Sequence, residues 1–239
     1  MIMDIIIFEI SGKFAHFRKF YTNSSSLSYS VPSRTTVEGI IAAILGLERD
    51  TYYEKLSLDN CKIAIEKVNK TRKINQSLNY IKVKSPNDFK KIKNHTQIPI
   101  EIIASEKKVK YRIYISHTDE EIMEELEERL KSETPIYPIF LGAANYIAKT
   151  QFIDRIKIEE QKSIDFIGIK TIININHIKD LKIDFKKQRL VKEKMPIDFL
   201  KGRNPKKAQS FIYDENCNEI FIITEKEYYN YNGKNILFI

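Results

Sequence analysis

The sequence predicts an α+β fold in which strands outnumber helices. Three observations carry that prediction. An almost unbroken apolar run opens the chain, two segments pair a capping box with helical apolar spacing, and short β-branched or alternating segments fill most of the remainder.

Residues 4–10 hold Ile5, Ile6, Ile7 and Phe8 in succession and read as a mostly apolar, central strand. The N-terminal MIMDIIIFEI has no basic leader, and Asp4 and Glu9 interrupt its apolar character, so it does not read as a signal peptide. No apolar run approaches the length of a membrane span, and a cytoplasmic placement without membrane contact is expected. The first helix is expected over 35–45. Thr35 is a suitable N-cap, Glu38 completes a capping box, Val37, Ile40, Ile41, Ile44 and Leu45 share one face, and Gly46 supplies the stop. Residues 61–70 alternate as a second strand. Residues 71–97, rich in Lys and Asn, form a long exposed excursion of the length that is usually functional or disordered in compact domains.

Residues 98–104 and 109–115 then read as two strands joined by a charged turn at 105–108. A second helix is expected over 118–131, with Thr118 and Glu121 as its capping box and Ile122, Met123, Leu126 and Leu130 as its stripe. Strand signals follow at 136–141, 152–158, 164–175, 211–213 and 220–224, and Asn232-Gly233 marks a hairpin. The order over residues 1–150 matches a ferredoxin-like βαββαβ unit with an insertion at about 71–97. Residues 151–239 form a smaller β-rich part.

The segment 12–46 is the most informative in the chain. From Gly12 to Arg34 inclusive there are four Lys/Arg and no acid, interleaved with Phe14, His16, Phe17, Phe20, Tyr21 and Tyr29. Arg34 precedes a helix start with free N–H groups, an arrangement suited to an anion and above all a phosphate. Capping of a core helix accounts for Thr35 and Glu38 equally well, but not for the acid-free run upstream. The net charge of +8 is also segregated. Residues 70–112 hold twelve Lys/Arg against three acids, 179–207 eleven against four, and 119–133 eight acids against two bases, which points to a polyanion-binding face. Abundant Lys, Ile and Asn throughout is the compositional alternative.

Other chemistries find little support. Cys61 and Cys217 lack metal or disulfide spacing and read as two buried thiols; no metal site or cofactor is expected. Gly142-Ala143-Ala144 is no P-loop, and its role is a close backbone approach to RNA or to a neighbouring strand.

The stretch GKFAHFRKFYTNSSSLSYSVPSRTTVEGIIAAILG, together with YPIFLGAANYIAK at 137–149, resembles the fifth family of CRISPR-associated proteins. These belong to the RAMP superfamily and are subunits of type I Cascade complexes. HTQIP at 95–99 and YRIYI at 111–115 look similar to type I-B members. The resemblance implies an RRM-type ferredoxin-like domain with a protruding thumb, here 71–97. It also implies a grip on the crRNA 5′ handle, contacts to the backbone and large subunits, and target DNA met only through the complex. On this basis the RNA-binding candidates are Lys13, Phe14, His16, Arg18, Tyr29, Arg34, Thr35, Thr36, Lys73, Lys82, Lys84 and Gly142. One branch of the family cleaves precursor RNA with a tyrosine and an adjacent Lys–His pair. None of His16, His95, His117 or His177 follows a lysine, and Ser116 precedes His117. A non-catalytic RNA-binding subunit of antiviral defence is therefore expected, and a metal-independent endoribonuclease acting on repeat RNA is the alternative.

Overall fold

A computed structural model describes residues 2–81, 83, 85–86, 95–200 and 204–239. Its first half contains β1 (Ile2–Ala15), β2 (Phe17–Arg18), β3 (Ser28–Tyr29), α1 (Arg34–Leu45), β4 (Cys61–Lys67), β5 (Arg72–Ile81), β6 (His95–His117) and α2 (Glu120–Ser132). The second half adds β7 (Ala148–Gln161), β8 (Ile167–Ile169), β9 (Ile173–Asn174), β10 (Asp180–Lys182), β11 (Leu190–Leu200), β12 (Asn204–Asp214), β13 (Ile220–Ile223), β14 (Tyr228–Tyr231) and β15 (Lys234–Ile236).

Among the described residues the main sheet runs β10-β13-β8-β15-β14-β7-β1-β6-β4, with β5 added to the far end of β6. β1 lies antiparallel between β6 and β7, and its two faces serve two cores. Ile6, Phe8 and Ile10 face one core with the apolar sides of α1 and α2; Met3, Ile5 and Ile7 face the other, with Tyr114, Tyr229, Tyr231 and Ile236. Burial on both faces is why β1 reads as an apolar run without alternation. The sheet also curls: Ile172 N donates to Ile65 O at 2.8 Å and Ile239 N to Ile63 O at 3.0 Å, so returning segments cover the β4 edge.

Several expectations need correction. Ser33, not Thr35, caps α1: its side chain accepts from Thr36 N while Arg34 is already helical. Asp119, not Thr118, caps α2, accepting from Glu121 N. Gly46 ends α1 in the left-handed region as expected, at φ 71°. Residues 105–108 are no turn, because β6 runs through them from His95 to His117. The described part of 71–97 is not irregular: β5 pairs antiparallel with the first half of β6 from Arg72↔Ala104 to Ile81↔His95. Its side chains are almost all exposed, so no buried period marks it in the sequence. Residues 136–141 are not a strand; Ile136 N and Tyr137 N bond instead to Ile44 O and Ala43 O at the end of α1. Cys61 is buried, and burial pushes its thiol up to about 12, whereas Cys217 is only half-buried.

Candidate nucleic-acid interface

The acid-free segment folds as a small β2–β3 ribbon clamped onto the base of the β5–β6 hairpin. Ser26 N donates to Pro99 O at 2.8 Å, and Glu101 N to Ser26 O at 3.0 Å. Glu101 adds an ionic clamp, its carboxylate accepting from Ser28 N at 2.8 Å and from Lys73 Nζ at 2.9 Å. Burial alone would raise the Glu101 pKa, but these bonds outweigh it and hold the carboxyl below its ordinary value. Lys73 is thereby neutralised in part. Lys82 and Lys84 lie outside the described residues.

Arg34 is no open anion contact. It is 1% exposed, and its guanidinium pairs with Glu38, one turn along α1. It also donates to Ile197 O at 3.1 Å, Leu56 O at 3.0 Å and Cys61 O at 2.7 Å. Burial lowers its pKa, yet the three carbonyls and one carboxylate hold the cation in place. Arg34 therefore staples α1, β4 and the β11–β12 hairpin together. The sequence did carry a signal for this: Arg34 and Glu38 stand four apart, the spacing of a helical ion pair.

His16 and Tyr29 are interior as well. A carbonyl only accepts, so the 2.7 Å contact of His16 Nδ1 with Glu101 O places the proton on Nδ1; Nε2 then accepts from Ser26 Oγ at 2.9 Å. Tyr29 donates to Lys194 O at 2.6 Å, and burial raises its pKa. His117 also has both ring nitrogens engaged, with Lys55 O and Asp119 N. Phe17 is buried against Tyr111.

What remains open is a cleft of about 470 Å³ beside the start of α1. Its floor and rim come from Thr35, Thr36 and Gly39 of α1, Arg18 and Phe20 of the ribbon, Phe140 and Gly142 of the 136–147 connection, and Tyr52, Tyr53 and Phe199. Arg18 is exposed and held by a 3.1 Å bond from its guanidinium to Thr22 O, which leaves its charge unneutralised by any carboxylate among the described residues. Phe20 is 44% exposed and packs edge-on against Tyr21. Lys13, also exposed, lies over the Phe14 ring at 5.6 Å. Gly142 answers a packing demand: at φ 91°, a Cβ there would lie 1.9 Å from His16 O. Thus Arg18, Tyr29, Thr35, Thr36 and Gly142 meet at one cleft, Lys13 and Phe14 lie outside it, and Arg34 and His16 support it from the interior. Tyr52, Tyr53, Phe140 and Phe199 were not foreseen, because they come from connections and from a distant hairpin.

The sheet face opposite the helices is closed. An RRM-type surface would present its β1 and β6 side chains there, but Met3, Ile5, Ile7 and Tyr114 are buried beneath Tyr229 and Tyr231. At one end of this core, Glu9 pairs with Lys110 at 2.6 Å and Arg112 at 2.7 Å, while Glu66 receives Tyr114 Oη at 2.7 Å and Lys234 Nζ at 2.8 Å. These buried side chains are not available for base stacking. Among the described residues, no helix is long and apolar enough to cross a membrane.

The comparisons agree with this architecture. A crystal structure of a CRISPR protein from Archaeoglobus fulgidus matches 99% of this chain and 98% of its own, with TM-score 0.56 and 14% identity. A chain in the cryo-EM structure of the type III-B Cmr-beta complex, bound to cognate target RNA and AMPPnP, matches 91% of this chain and 86% of its own, with TM-score 0.51 and 13% identity. Identities this low establish the fold alone. A search of curated proteins finds no match to the sequence. The family model described as CRISPR-associated protein (Cas_Cas5) matches residues 5–202, the greater part of the chain. By that match the chain belongs to the CRISPR-associated protein (Cas_Cas5) family.

Proposed function

We propose that the chain is a non-catalytic, RNA-binding subunit of a CRISPR effector complex of the type I Cascade kind, holding the 5′ handle of the crRNA. The family match and the fold shared with a chain of an RNA-bound CRISPR complex support its place in such an assembly. In this account residues 1–150 supply three strands, in the order β1-β6-β4, and both helices of a ferredoxin-like RAMP domain, and β7 (Ala148–Gln161), which crosses into the β-rich part, adds the fourth strand beside β1. The β5–β6 hairpin is its thumb. Residues 151–239 are the β-rich part, available to the backbone and large subunits, and the assembly works in the cytoplasm.

The observation that carries this function is the cleft at α1. Its walls are aromatic, among the described residues Arg18 is the cation that lines it and has no carboxylate partner, and the hydroxyls of Thr35 and Thr36 stand at a helix start. Unpaired bases enter such a cleft by stacking while Arg18 and the helix start take phosphate. Metal-free RNA cleavage needs a base near the 2′-OH, and the ring nitrogens of His16 and His117 are already committed to protein atoms. Incubating purified protein with repeat RNA in EDTA tests the function. Bound, intact RNA is the expected outcome. Cleavage at one position, lost in His16→Ala or His117→Ala, establishes the endoribonuclease alternative.

A further inference from the structure

A second basic site lies where the sheet divides into body and hairpin. On one side of β6, β4 ends at Lys67 and β5 begins at Arg72. On the other side the register with β1 jumps from Gly12↔Val109 to Phe14↔Ala104, so residues 105–108 stand opposite Lys13 alone. Two hydrogen bonds fix the segments that border the gap. Asn69 Nδ2 donates to Lys108 O at 2.8 Å, and Ser105 Oγ to Lys70 O at 2.9 Å. Between them is a hollow of about 320 Å³, lined by Lys70, Thr71, Arg72, Ser105 and Lys107 together with Asn69 and Glu106.

The charge balance here differs from that of the neighbouring strand positions. Lys67, Lys73, Lys110 and Arg112 each face a carboxylate. Lys70, Arg72 and Lys107 are exposed, and among the described residues none of the three has a carboxylate partner. The three cations around the hollow repel one another, the single acid Glu106 offsets only part of that repulsion, and an anion seated there relieves the rest. Among the described residues no aromatic side chain lines it, so these offer nothing for a base to stack on.

We propose that this hollow holds a backbone phosphate of a single nucleic-acid strand, as an anchor separate from the α1 cleft, with which it shares no residue. The inference rests on the RNA-binding function proposed above. A phosphate contact carries no sequence information, so the anchor adds affinity equally for every strand.

The test uses the full chain, its Lys70→Gln/Arg72→Gln/Lys107→Gln variant and the single Lys107→Gln variant. The probes are repeat RNA, unrelated RNA of equal length and single-stranded DNA, each titrated across a salt series. Each phosphate neutralised on a single strand contributes about 0.7 to the slope of log affinity against log salt, so the triple variant, which gives up the one phosphate held in the hollow, is expected to lose about 0.7 in slope. Lys107→Gln, which leaves Lys70 and Arg72 in place, is expected to lose part of that. The loss should be equal for both RNAs, with preference for repeat RNA and melting temperature unchanged. A loss seen with RNA but not DNA assigns the strand to RNA, and an equal loss with DNA assigns it to either strand. Wild-type slopes in both variants overturn the anchor, and leave the α1 cleft standing if Arg18→Glu still weakens binding. Failure of the wild-type chain to bind RNA overturns both proposals.

Discussion

Arg34→Ala is expected to behave as a stability mutation and not as a binding mutation. The substitution removes a guanidinium that serves Glu38 and the carbonyls of Ile197, Leu56 and Cys61. Glu38 is 1% exposed, so it is left as a buried carboxylate without its partner. Breaking a buried pair in this way costs about 3–5 kcal/mol, and the emptied volume adds to the loss. For a chain of this size each kcal/mol lowers the melting temperature by about 2–4 °C, so a fall on the order of 10 °C is expected. Removing both partners with apolar replacements, Arg34→Met with Glu38→Leu, should recover much of the loss because no unpaired charge remains. Arg34→Lys should fall between, since an ammonium lacks the planar fork that reaches several acceptors at once. Circular-dichroism melts of the four proteins measure this. An Arg34→Ala protein that melts with the wild type yet binds RNA weakly would refute the staple and restore an open anion contact.

Gly142→Ala should cost roughly 1–3 kcal/mol, because its φ of 91° is strained for a side chain and the new Cβ meets His16 O; denaturant titration reads the change. Tyr231→Ala should lower stability while leaving RNA affinity unchanged, since Tyr231 packs on the closed face of the sheet beside Tyr114; a selective loss of affinity returns RNA to that face. Acid should weaken the fold. Burial would raise the Glu9 pKa, but hydrogen bonds from Lys110 and Arg112 outweigh it, so the folded value lies below the ordinary one. A depressed carboxyl contributes stability above its unfolded pKa of about 4.3 and loses it as pH falls through the folded value. Urea midpoints should therefore drop below that pH, and Glu9→Gln should flatten the drop; equal acid sensitivity in the variant removes Glu9 from the account.

The sequence made legible whatever rested on local periodicity. Both helices, the Gly46 stop, the apolar β1 at the centre of the sheet and the Asn232-Gly233 hairpin are where apolar patterning and turn chemistry put them. The β5–β6 hairpin was hidden because exposed polar strands show no buried alternation. Arg34 was misplaced for a related reason. Its position at a helix start looked solvent-facing, and nothing local announces that β11, some 160 residues later in the chain, supplies the lid at Ile197. The cleft was half legible. Arg18, Thr35 and Thr36 stand in one conspicuous segment, whereas Tyr52, Phe140 and Phe199 reach it only through tertiary packing.

Binding of 5′-handle RNA by wild type and by Arg18→Glu/Thr36→Glu, read by fluorescence anisotropy alongside a melt of each, tests the central claim most directly. Both side chains border the cleft, Arg18 without a carboxylate partner, so the substitutions should leave the fold intact. Loss of a charge-assisted contact, with an acid put in its place, should weaken the complex at least tenfold, about 1.4 kcal/mol or more. Unchanged affinity at an unchanged melting temperature would contradict the assignment of this cleft to RNA.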